Sequence, residues 1–200
     1  MKRLLLSLPL LCLCTLVQAK VVMPRFFADG MVLQQQTECR LWGTATPGAS
    51  LVVTASWTHG KWKSRVNADG SFSITITTPT AGGPFTISID DGEKTMLSNV
   101  LVGEVWICSG QSNMEMPMKG FKMQPVEGTT EELLRCKDAK MRLFTIKRHA
   151  AITPQTDVEG EWSEANSESV RNFSATAYYF GRALRQQLDV PVGLIVTAWG

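Results

Sequence analysis

The sequence predicts a two-part protein: a β-sandwich-like domain over residues 20–98, then the first half of a parallel-sheet α/β domain over residues 99–200. Three observations carry this. Turn signals recur at roughly ten-residue spacing between Val21 and Ser98, as in sandwiches and small barrels. Beyond Asn99, strand-like apolar runs alternate with a helical pattern, the grammar of crossover-linked parallel strands. The most distinctive polar motif, Cys108-Ser109-Gly110-Gln111-Ser112-Asn113-Met114, closes the first of those runs.

Taken in order, Met1-Lys2-Arg3 leads into an apolar stretch from Leu4 to Val17, too short to span a bilayer, and Val17-Gln18-Ala19 supplies small residues for cleavage. Residues 1–19 read as a signal peptide and the mature chain as secreted or periplasmic, with no membrane attachment after cleavage. Cys12 and Cys14 leave with the signal. Cys39, Cys108 and Cys136 remain, with no short paired spacing, which fits neither a zinc site nor a disulfide framework. Cys108, ending an apolar strand, reads as a small core residue.

The chain is 44% hydrophobic and 19% charged, with a formal net charge of +2. That is an ordinary globular balance, and with no basic block it argues against nucleic acid as a partner. No glycine-rich phosphate loop, metal-ligand cluster or heptad run is present, so no cofactor and no metal are expected.

In the first part, the turns are Asp29-Gly30, Pro47-Gly48, Asp69-Gly70, Gly82-Gly83-Pro84 and Asp91-Gly92. Between them Leu51, Val53, Ala55 and Trp57 alternate with polar or outward positions, as do Phe72, Ile74 and Ile76, so each strand has one face for a core and one for water. No catalytic constellation falls here. His59, in Thr58-His59-Gly60, reads as an exposed hairpin tip.

In the second part, residues 99–107 have the β-branched content of a fully buried strand. A short helix follows at Glu131–Arg135, then a strand over Met141–Ile146. A longer helix presents Phe173, Ala177, Phe180, Leu184 and Leu188 on one face, with Arg182, Arg185 and Gln186 turned away. Ser174 or Asn172 supplies its cap and Pro191 stops it. Val192–Ala198 is a further buried-type strand before Trp199-Gly200. A flavodoxin-like 2-1-3 order would put the first strand in the middle and open a crevice between the first and third, bringing Ser112 and Gly200 to neighbouring strand ends. The third strand, with Leu194-Ile195-Val196, would then be an apolar edge prone to self-association.

Ser112 stands just past the carboxyl end of a strand, where open α/β sheets hold their chemistry, and is a candidate nucleophile. The alternative is a polar loop with Ser112 or Asn113 as helix N-cap. Glu115 either touches substrate or stabilises a helix start, and Pro117 keeps any helix from Ser112 short. Trp106 and Trp199 flank the crevice, Trp106 reading equally as core. His149, after the second strand, shares the rim with Ser112; with Asp157 or Glu159 it is a conceivable base, but a solvated loop histidine is the simpler reading.

Residues 21–114 resemble the start of the sialate O-acetylesterase family, secreted carbohydrate esterases of the SGNH hydrolase class. The carrying stretches are Asp29-Gly30-Met31-Val32-Leu33-Gln34, Leu41-Trp42-Gly43, Gly82-Gly83-Pro84-Phe85, and above all Gly103 to Met114; Phe173–Tyr178 and Ala198-Trp199-Gly200 agree. The resemblance implies a β-rich domain ahead of an SGNH-type α/β domain, hydrolysis of acetyl esters on sugar hydroxyls, and an O-acetylated sugar, sialic acid or a glycan, as partner. It implies Ser112 as nucleophile, the Ser112 N–H and Gly200 as oxyanion-hole donors, and Gln111, Asn113 and Trp199 beside the substrate.

The family's later asparagine loop and its Asp-x-x-His segment have no counterpart in these residues. The resemblance therefore implies an amino-terminal part of an esterase that does not turn over alone. The rival expectation is a non-catalytic carbohydrate-binding or interaction protein whose β-rich part does the binding.

Overall fold

The computed structural model describes residues 20–200, so the signal read over residues 1–19 lies outside it. The elements in order are β1 (Val32–Gln34), β2 (Glu38–Thr44), β3 (Ser50–Ala55), β4 (Lys61–Arg65), β5 (Ser71–Thr77), β6 (Gly82–Asp90) and β7 (Lys94–Gly110). They continue with α1 (Ser112–Glu115), α2 (Thr129–Arg135), β8 (Asp138–Thr145), β9 (Trp162–Ala165), α3 (Ser167–Asn172), α4 (Ala175–Leu188) and β10 (Val192–Ala198). The large sheet runs β4-β3-β6-β7-β10-β8-β9, with β1 added against β7, and β2 pairs with β5 in a second, two-stranded sheet.

The alternation in the sequence explains the first half. Leu51, Val53 and Ala55 of β3 and Phe72, Ile74 and Ile76 of β5 are buried while their neighbours along each strand are more open. These side chains meet Leu41, Ile87, Ile89 and Val100 in one apolar core, with the β2–β5 pair on one side and the large sheet on the other. The larger layer does not close at residue 98. That position lies inside β7, a single 17-residue strand whose first part pairs antiparallel with β6 and whose last part pairs parallel with β10. Asn99, at φ 53°, marks the point where β7 bends.

A polar splice fixes the junction. Gln34 Nε2 and Gln35 Nε2 donate to the two carboxylate oxygens of Glu104, Gln34 Oε1 accepts from the Val105 N–H, and Gln35 Oε1 accepts from the Ala81 N–H. The buried Arg142 of β8 reaches back to the Gly30 carbonyl and the Asn99 side chain, and pairs with Glu164. Buried polar groups are tolerated because each finds a partner.

The second core gathers Cys108, Met118, Met141, Leu143, Phe173, Ala177, Tyr178, Leu194 and Val196. Here several expectations are corrected. The strand order is β7-β10-β8, so β10 and not the first strand is the middle one; Leu194 and Val196 are buried, and no apolar edge lies there. The expected neighbourhood of β7 and β10 survives, with Val192 to Ala198 in parallel register with Glu104 to Gly110. The physical reason is that β6 and β1 flank β7 only as far as Gly103, so past it β10 takes one side and, among the described residues, no strand takes the other. Residues 104–107 are consequently not fully buried: Ile107 is 72% exposed, and Trp106 is neither core nor part of the crevice but stands edge-on to Phe180.

Of the face expected to be apolar, Phe173, Ala177 and Leu184 do pack into this core, but helix α4 is rotated so that the rest do not. Ser174 caps it by accepting from the Ala177 N–H, but Phe180 and Leu188 face outward while Ala177, Tyr178 and Gly181 are buried. Gly181 permits this approach, because a Cβ there would sit within 3.1 Å of three Leu194 side-chain carbons. The two arginines expected on the open face instead pair with acids, Arg182 with Glu132 and Arg185 with Asp138.

Candidate active site

The carboxyl ends of β7, β10 and β8 meet on one rim. Immediately past β7 the chain turns into the single-turn helix α1, which ends at Met116 because Pro117 holds that residue out of α geometry. Ser112 is the first residue of α1 and is exposed. The cap reading does not hold: the N-cap is Gln111, and no side chain caps this helix. Neither the Ser112 hydroxyl nor its N–H bonds to any group among the described residues, which leaves both free for a ligand.

Gly200 lies directly against Ser112. A Cβ at position 200 would come 2.7 Å from both Cα and Oγ of Ser112 and closer still to its nitrogen, so only glycine fits. The strands that carry the two residues are adjacent and parallel, and the Trp199 N–H donates to the Gly110 carbonyl at 3.1 Å. The Gly200 N–H, expected as an oxyanion donor, is instead donated to Glu115 Oε2 at 2.9 Å, and Glu115 also pairs with Arg148 from the segment after β8.

A cleft of about 560 Å³ opens beside this point, lined among others by Ser109, Gly110, Arg148, His149, Asp157 and Trp199. A second hollow of about 530 Å³ shares Ile146, Lys147, Arg148 and Ala198 with it and adds Glu115, Lys119 and Phe121. Such a concave mouth with a few convergent polar groups is the form small-molecule sites take. Trp199, 57% exposed, stands at the rim with its ring open to solvent, and Gln111 and Asn113 are exposed beside Ser112.

His149 is on the same rim, as its position after β8 implied, but it bonds to no residue among those described. The carboxylates considered for it are otherwise engaged, Asp157 with the Arg25 backbone and side chain and Glu159 with Lys147. His59 sits in the β3–β4 connection, remote from the rim. Burial pushes the Cys108 thiol up from its ordinary value, while the Ser109 and Ser112 hydroxyls on either side of Gly110-Gln111 are both exposed. Among the described residues no group of three or more His, Cys, Asp or Glu is placed to hold a metal ion, and no helix is long and apolar enough to cross a membrane.

Arg148, and the partners of Glu115, were not legible beforehand. Arg148 lies in an irregular segment with no periodic pattern, and the role of Glu115 depends on a chain segment 85 residues away. No local signal marks Arg148 or the Glu115–Gly200 bond.

The chain matches no family model. It is 30% identical to the sialate O-acetylesterase of Homo sapiens over 193 aligned residues, covering 88% of this chain and 36% of that protein, and 29% identical to the Mus musculus enzyme of the same name over 188 residues. It therefore spans about a third of the length of the curated relatives it matches. Its fold is similar to the crystal structure of a carbohydrate acetylesterase from Xanthomonas citri, with a TM-score of 0.84 and 29% identity over 90% of this chain and 40% of that one. Over most of its length the chain is thus similar in sequence to sialate O-acetylesterases and in fold to a carbohydrate acetylesterase.

Proposed function

We propose that the protein is an exported carbohydrate O-acetylesterase acting on O-acetylated sugars, sialic acid foremost, with Ser112 as nucleophile. The observation that carries this reading is the Ser112–Gly200 contact: an uncapped serine with a free hydroxyl and a free N–H, held against a glycine backbone next to the chain neighbours Gly110 and Trp199 that line a cleft. A serine hydroxyl so placed attacks the acetyl carbonyl, the sugar oxygen leaves with a proton, and water later releases acetate from the acyl-serine. The Ser112 N–H supports the oxyanion of the tetrahedral intermediate, and the Gly200 backbone forms the second wall of that pocket. Gln111, Asn113 and Trp199 border the sugar, Trp199 by stacking.

A serine needs a base, and the Asp-x-x-His segment that the family resemblance implies does not occur in these 200 residues. Removal of a single oxyanion donor alone typically costs about 3 to 4 kcal/mol of transition-state stabilisation. The 200-residue polypeptide by itself is therefore expected to hydrolyse p-nitrophenyl acetate no faster than its Ser112→Ala variant. In the protein at its natural length, a fluorophosphonate probe is expected to add to Ser112, located by peptide mass mapping, and Ser112→Ala is expected to abolish both labelling and acetate release. Glycan binding without labelling at natural length would support the non-catalytic rival instead. The same reading takes residues 1–19 as a cleaved export signal, and amino-terminal sequencing of the exported protein is expected to begin at Lys20.

A further inference from the structure

We propose that Glu115 is a positioning residue, which fixes the backbone of Gly200 against Ser112 and is itself held in place by Arg148. This rests on the reading of Ser112 as nucleophile but concerns a residue that reading does not use.

The geometry is specific. Glu115 lies three residues past Ser112 on α1, so its side chain rises on the same side of that single turn. One carboxylate oxygen accepts the Gly200 N–H at 2.9 Å and the other pairs with the Arg148 guanidinium. One side chain thereby ties together the segments that follow β7, β10 and β8. It is 19% exposed, unlike an acid that only faces a helix start from solvent. An N–H donated to a carboxylate is among the stronger and more directional hydrogen bonds. The wall it holds has no slack, because the space at Gly200 does not admit even a methyl group beside Ser112. Displacement of a reacting site by about 1 Å is enough to lower a rate about a hundredfold.

The role differs from a catalytic one. Glu115 neither takes the Ser112 proton nor meets the ester; it sets where the second wall of the oxyanion pocket stands. Glu115→Gln keeps an oxygen that accepts the Gly200 N–H, whereas Glu115→Ala removes it. Arg148→Met leaves the acceptor but frees it to move.

Two readouts test this. In the ¹⁵N-labelled 200-residue chain, the Gly200 amide is expected to be protected from hydrogen exchange, to lose at least about tenfold of that protection in Glu115→Ala, and to retain most of it in Glu115→Gln. In the protein at natural length, Glu115→Ala is expected to lower kcat at least about tenfold with KM changed less than about threefold, Gln restoring most of the rate and Arg148→Met falling between. An unprotected Gly200 amide in the parent chain, or an amide and a kcat unmoved by Glu115→Ala, overturns the proposal. If Glu115→Ala does not fold, Arg148→Met and Glu115→Gln decide it by the same two readouts. Absence of Ser112 labelling would refute the nucleophile reading and leave the amide measurement to judge Glu115 on its own.

Discussion

Gly103→Ala is expected to destabilise the protein by about 3 kcal/mol or more, lowering the melting temperature by roughly 6 to 12 °C for a chain of this size. A Cβ at position 103 would stand 2.7 Å from the Pro191 carbonyl carbon and 2.9 Å from its Cβ, with the carbonyl oxygen nearer still. That oxygen accepts the Glu104 N–H at 2.9 Å, the first bond joining β7 to β10. Relief therefore requires moving backbone, not rotating a side chain, and it would open the parallel ladder at its start. Gly103 also receives the Gln35 N–H on its carbonyl, so β1 would be disturbed on the opposite side. Gly60→Ala, in an open turn where the nearest atom is 3.4 Å away at the end of the Thr58 side chain, is the control and is expected to change stability by no more than about 0.5 kcal/mol. Equal melting curves for the two variants would contradict the β7–β10 register.

The second large effect is expected at Glu132. This carboxylate is 1% exposed on α2 and gathers the Tyr178 hydroxyl at 2.8 Å and the guanidinium groups of Arg182 and Arg135. Burial alone would raise its pKa, but the hydrogen bonds from Arg182, Tyr178 and Arg135 outweigh that and hold it below the ordinary value of 4.5. Burial and the bond to this carboxylate push the Tyr178 hydroxyl upward, keeping it a donor. Glu132→Ala would strand the buried Tyr178 hydroxyl and remove the partner of two arginines, a loss of about 2 to 4 kcal/mol. The sign of the pH dependence follows from a depressed carboxyl. Its contribution is complete above the unfolded value near 4.5 and disappears as pH falls through the lower folded value. Urea denaturation from pH 6 down to pH 3 is expected to show stability falling below about pH 4.5 in the parent chain, with a shallower slope in Glu132→Gln. Parallel slopes would place the acid sensitivity elsewhere.

How much of this was legible in the sequence depended on the range of the interactions. Period-two burial in β3 and β5, the Ser174 cap, the short α1 before Pro117 and the parallel approach of residues 192–198 to the Ser112 strand were all readable, since each depends on spacing or on one residue's backbone preference. The strand order was not. Whether β10 or β7 is central depends on where β6 and β1 stop along β7, and no local pattern encodes that. The face of α4 was misjudged because Gly181 and Tyr178 count little in an apolar tally, yet one admits Leu194 and the other reaches a buried acid. In the site, the Ser112–Gly200 pairing followed from topology, while the Glu115–Arg148 tie did not. The stretches that carried the family resemblance turn out to interlock: Gln34 meets Glu104, and Gly103 meets the turn before β10. Much of the motif is thus architectural, and only its Ser112 end faces the cleft.

The shared strand β7 bears on how such a protein is inherited. A recombination breakpoint between Asn99 and Glu104 would join half of β7 from one parent to half from another, with Gln34, Gln35 and Arg142 reaching across the seam to side chains they were not matched with. The β-rich portion and the serine-bearing portion are therefore expected to be exchanged between lineages as a pair, never shuffled as separate modules.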